Sequence, residues 1–99
     1  MAAYASAFSR LANLAMAVHA KDFYFAPYGD PKGKDYWITT RACNKLDATV
    51  VGRGAVPVAQ CLAILRRAGY DGFVDIEFEG KEDCVEAAKE GLQFLRSLS

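Results

Sequence analysis

The stretch VHAKDFYF, Val18 to Phe25, sets the only histidine of the chain inside an apolar, aromatic-rich run. Near-continuous apolar residues with strand composition are expected of a β-strand covered on both faces. Such a strand needs parallel neighbours and crossover helices, so the fold turns on what surrounds it. Upstream, Tyr4, Phe8, Leu11 and Ala15 recur at helical spacing within residues 2–16, with Leu14 widening the stripe. A cleavable leader fits less well, because no basic cluster precedes an apolar core and Arg10 interrupts the candidate core.

Downstream, Pro57 suits the first turn of a helix, where its missing N–H goes unused. Val58, Cys61, Leu62 and Leu65 then form one apolar face, Arg66 and Arg67 sit at the negative end of the helix dipole, and Gly69 is placed for a left-handed cap. GFVDIEF, Gly72 to Phe78, reads as a second short strand. A last helix is expected from about Asp83, with Val85, Ala88, Leu92 and Leu95 on its stripe. Between the first strand and the Pro57 helix, residues 26 to about 55 lack a period and open with the turn-rich APYGDPKGKDYW, so a long loop is expected. Within it VGRG, Val51 to Gly54, has the look of an anion-binding loop, although a lone G-x-G is better read as a plain tight turn.

The order is α-β-loop-α-β-α, an α/β arrangement of parallel βα units in a single domain over residues 1–99. Two parallel strands and three helices leave strand edge uncovered. The sheet is therefore expected to be part of a larger one, completed by missing sequence or by another chain.

Composition narrows the function. Hydrophobic residues make up 53% and charged ones 24%, which is globular, and twelve basic residues balance twelve acidic ones. That balance argues against a nucleic-acid surface. No run approaches the ~18 apolar residues of a membrane span. Cys43, Cys61 and Cys84 are odd in number and widely spaced, a poor disulfide or zinc framework, and favour a reducing cytoplasm.

Chemistry in parallel α/β structures gathers at the C-terminal ends of strands. His19 and Asp22 lie late in the first strand, and Glu77 and Glu79 at the end of the second. Imidazole and carboxylate suit a divalent ion. By spacing alone, a lone histidine in an apolar strand is more often a packing residue. Glu77, sharing its face with Asp75 and Glu79, is a ligand or part of a solvated acidic face. Lys21 can pair with Asp22, meet a phosphate or cap the strand.

Taken together, VHAKDFYF, TTRACNKLDATVVGRGAVPVAQCLAILRRAGYDGFVDIEFEG and the final helix resemble the C-terminal part of sugar phosphate isomerases/epimerases of the xylose isomerase-like barrel superfamily. The resemblance runs over nearly all of the chain, through H-x-K-D, G-x-G, GYDG and a following Glu in that order. It implies a partial TIM barrel, the last two βα units of an eight-stranded barrel of roughly 250 residues. The first strand would be its seventh and the second its eighth. It further implies a divalent metal (Mn, Mg, Zn or Co) held by two Glu, one Asp and one His. His19 and Glu77 match two of these ligands, and the other two belong to earlier strands.

Glu77 would also serve as a catalytic base in proton transfer on a ketose-like sugar or sugar phosphate, and Asp22 would orient His19 or touch substrate. Arg41, Arg53 and Lys21 would contact substrate, although TRACN and Arg53 depart from the TRGGN and His common in relatives. The implied partners are the substrate and either the missing N-terminal barrel part or a homo-oligomer copy. A non-catalytic oligomerisation or partner-subunit module is the alternative. The apurinic endonuclease branch is disfavoured by the neutral charge.

Overall fold

A computed structural model describes residues 2–26, 38–41 and 45–98. Helix α1 (Ala2–Leu11) runs into a 3₁₀ turn over Ala12–Leu14. Phe8, Ala12 and Ala15 pack against Ile64 and Leu65 of the second helix, which places α1 over the start of the first strand. Strand β1 (Val18–Ala20) is parallel to a late strand, Val74–Ile76, with Val18 opposite Val74, His19 opposite Asp75 and Ala20 opposite Ile76. The ladder continues one bond further, where Glu77 N–H donates to the Ala20 carbonyl at 2.9 Å.

The expected single strand over VHAKDFYF is in fact two. Lys21 belongs to neither, and β2 (Asp22–Ala26) enters a separate antiparallel sheet. The expected loop over residues 26–55 is corrected in the same place. It contains β3 (Ile38–Thr39) and β4 (Lys45–Thr49), and the sheet order is β2-β4-β3. Asp22 pairs with Thr49 and Ala26 with Lys45. Residues 27–37 and 42–44, with Tyr28, Tyr36 and Trp37, lie outside the described residues.

The physical reason for the switch at Lys21 is Asp22. Its side chain is 1% exposed, and a buried carboxylate must be hydrogen-bonded. Oδ2 accepts from the Gly52 and Gly54 amides, each at 3.0 Å, and Oδ1 from Val56 at 3.0 Å and Phe23 at 2.9 Å. VGRG is thus a loop wrapped round an anion, and the anion is the protein's own. Gly52 turns the chain at φ +106°, and a Cβ on Gly54 would overlap the Asp22 carboxylate and the Phe23 carbonyl. Ala55 N–H closes the loop on that carbonyl at 2.7 Å.

Helix α2 (Val58–Arg67) buries Val58, Cys61, Ile64 and Leu65, close to the expected face. It ends as a left-handed cap: Gly69 has φ +93°, its N–H reaches the Arg66 carbonyl, and Tyr70 N–H reaches the Leu65 carbonyl. Strand β5 (Val74–Ile76) follows, then α3 (Cys84–Ser97), capped by the Asp83 carboxylate accepting from Glu86 N–H at 3.0 Å.

The buried face of α3 differs from the expected stripe. Ala87 and Gly91 are buried, whereas Val85, Ala88 and Leu92 are exposed. Close approach decides this: a Cβ on Gly91 would already touch Ile76 and Val51 at 3.4 Å, so the helix lies against β5 through its small residues. Ala20, Val51 and Val58 form the core there, with Val74, Ile76, Phe94 and Leu95 around them.

Among the described residues the result is a mixed α/β fold with a two-stranded parallel sheet, a three-stranded antiparallel sheet and three α-helices. Among the described residues no helix is long and apolar enough to cross a membrane.

Replacing the internal anion tests the account. Asp22→Ala leaves three loop amides without their acceptor, at ~1–3 kcal/mol each before water refills the space. We expect a loss of about 3 kcal/mol or more in urea unfolding. Gly54→Ala should be destabilised through the same loop, and a variant with an unchanged midpoint would show that the carboxylate does not hold it.

Candidate functional site

Side chains alternate across a strand, so β1 and β5 each present two different faces. Val18, Ala20, Val74 and Ile76 turn toward the helices. His19 and Asp75 therefore point away from them and are exposed. Lys21 and Glu77 continue that face beyond the strand ends, with Glu79 further on. Helices thus cover one side of the parallel sheet, and charges line the other.

The charged residues meet at the C-terminal ends of the two strands. His19 Nδ1 lies 3.4 Å from Glu77 Oε1, and His19 Nε2 lies 3.7 Å from Asp75 Oδ2. Lys21 Nζ is 3.3 Å from Glu77 Oε2 and also pairs with Glu79. Its hydrogen bond to Lys21, and next that to His19, hold the Glu77 carboxyl below its ordinary pKa. The Lys21 ammonium is raised, chiefly by its hydrogen bond to Glu79. Glu77 is therefore an ionised acceptor with one oxygen toward the imidazole and the other toward the ammonium.

His19, Lys21 and Glu77 thus come together, with Lys21 paired to Glu77 and Glu79 rather than to Asp22. The other expected site residues lie elsewhere. The Asp22 carboxylate faces the 52–56 loop, and the hydrogen bonds described for it all come from backbone amides. Arg53 reaches α3 instead, donating from Nε and Nη2 to the two Glu90 oxygens at 2.6 and 2.7 Å, with Nη1 3.8 Å from Glu82 Oε2. That fork lowers the Glu90 pKa. Arg41 is exposed in a turn after β3.

Several residues that matter here escaped the sequence reading. Asp75 was visible only as one member of an acidic face, and aligning the C-terminal ends of the two strands would have set it opposite His19. Thr49 and Glu82 had no local signal. Thr49 Oγ1 donates to Glu82 Oε2 at 2.8 Å, and Lys81 Nζ lies 3.5 Å from the buried Asp47 carboxylate. Both contacts pin the segment after Glu79 onto β4. Burial opposes the ionised form of Glu82, but its hydrogen bonds and nearby cations outweigh this and its pKa is lowered.

A metal ion can be set against this donor set. Among the described residues, no three His, Cys, Asp or Glu side chains converge as an ion cage. The reason is geometric, since Asp75 and Glu77 approach opposite nitrogens of one ring. The pair Nδ1 and Oε1 does fit half of a site, because two ligands bonded at about 2.1 Å to one ion stand roughly 3–3.4 Å apart. Comparison with family models, with curated proteins and with solved structures yields no match.

Lys21→Met should raise the Glu77 pKa toward its ordinary 4.5, read from the carboxyl carbon shift in an NMR titration. A depressed native pKa means that the pairing strengthens the fold above the ordinary carboxylate range and fades as pH falls through the lowered value. An unmoved Glu77 titration would remove Lys21 as the cause.

Proposed function

We propose that this chain supplies two βα units of a (β/α)8 barrel acting as a metal-dependent sugar or sugar phosphate isomerase/epimerase. In this proposal β1 is the seventh barrel strand and β5 the eighth. One observation carries it: His19 and Glu77 meet at the C-terminal ends of adjacent parallel strands, on the face that the helices leave open. That is where barrel enzymes build their sites. The charged character of the face supports a polar interior rather than a helix-covered surface, and the H-x-K-D…G-x-G…GYDG…E resemblance points the same way.

His19, through Nδ1, and Glu77, through Oε1, would hold a divalent ion such as Mn²⁺, Mg²⁺, Zn²⁺ or Co²⁺, with further donors from strands that extend the sheet. When bound, such an ion polarises a substrate carbonyl and its neighbouring hydroxyl. Glu77, ionised and beside such an ion, would be placed to accept a proton from the carbon between those groups. Lys21 holds Glu77 and Glu79 in place and offers a cation to a substrate hydroxyl or phosphate. Arg41 is exposed for the same task, whereas Arg53 would first have to leave Glu90. The thiols of Cys61 and Cys84 are free, which suits a cytoplasmic setting.

The test uses the chain completed by the six remaining strands of a barrel. Mn²⁺ affinity should fall by about 10–100-fold in His19→Ala and Glu77→Gln, since even an outer-shell partner is worth that much. Turnover of a ketose substrate should be lost with it. Wild-type affinity in both variants would end the ligand assignment.

A further inference from the structure

The parallel sheet is two strands wide, and among the described residues neither strand has a second neighbour. Parallel sheets occur almost only as wider sheets whose strands are paired and covered. Beside the open edge of β1 runs an apolar groove of about 340 Å³, floored by Val18 and Leu65 and walled by Phe8, Leu11 and Ala15. At the other edge stand β5 and the exposed Phe73, 88% accessible.

The charges on the open face divide by strand. His19 and Lys21 follow β1, and Asp75, Glu77 and Glu79 follow β5. A basic row and an acidic row that run in the same direction are complementary to one another. Within one chain they already pair at 3.3–3.7 Å.

We propose that copies of this chain associate head to tail, the β5 edge of one entering the β1 groove of the next, and that four copies close an eight-stranded parallel barrel. A head-to-tail contact repeats until the rotation closes, and it closes into a ring where the geometry allows. Eight is the strand number at which side chains just fill a barrel. Each inward position would then recur four times, matching the layers of four side chains of such barrels. From bottom to top these are His19 and Asp75, then Lys21 and Glu77. Basic and acidic strands alternate around the ring, so each acidic strand lies between two basic ones. The half-site of His19 and Glu77 is completed in this arrangement by the same residues of neighbouring copies, which is the one point at which it rests on the proposed function.

The purified 99-residue chain should run as a species of four chains in sedimentation velocity and native mass spectrometry. Two exposed side chains, one at each edge, serve as blocks: Leu11→Glu in the groove and Phe73→Lys beside β5. Each variant alone should be monomeric, with an unchanged circular dichroism spectrum. Mixed together they should form a dimer of one of each, because each lends the edge the other has lost.

A wild-type monomer at high concentration overturns the proposal, and so does a mixture of the two variants that stays monomeric. Four chains that take up no Mn²⁺, by electron paramagnetic resonance of the free ion, uphold the ring while removing the metal reading. The two readings therefore fail separately.

Discussion

The Asp22 carboxylate is the contact on which the rest depends. It sits where β1 gives way to β2, and it gathers the amides of the loop that leads into α2. A buried anion with four N–H donors is satisfied at both oxygens, so it can be removed from water without the large cost of an unpaired charge. Through it the parallel sheet, the antiparallel sheet and the N-terminus of α2 are fixed to one point. The position of Lys21, one residue earlier, follows from that anchorage, and so does the reach of its ammonium to Glu77 and Glu79.

Polar contacts repeat this logic on the far side of the site. Glu82 receives the Thr49 hydroxyl, and Arg53 grips Glu90, so the segment after β5 and the middle of α3 are tied to β4 and its exit loop. The charged cluster therefore stands between two anchors rather than on free loops.

Much of this was readable from residues alone. The helix at Pro57, its left-handed end at Gly69, the strand in GFVDIEF and the start of the last helix near Asp83 all follow from local rules, and the structure has each in place. His19 and Glu77 were found from their places near strand ends. What escaped was non-local. Lys45 to Val50 alternates apolar and polar residues, a strand signal masked by the turn chemistry before it. The break falls where Lys21 and Asp22 interrupt the apolar run, but strand composition resumes at Phe23, and only the distant loop amides explain why Asp22 turns inward. The face of α3 was misjudged because Gly91 and Ala87 score low in any apolar stripe, yet smallness is what lets the helix approach Ile76 and Val51.

The parallel pairing of β1 with β5 also bears on how the chain reaches this state. His19 and Glu77 are 58 residues apart in sequence, whereas the β2–β4 pairing closes over a much shorter span. Loop-closure entropy must be met before a distant contact rewards it, so nearby pairings form sooner. The antiparallel sheet can therefore assemble while β1 still waits for its neighbour. During synthesis β1 emerges well before β5. The strand that carries the histidine thus waits for its acidic partner, and the pairing of the two is what covers that edge of β1.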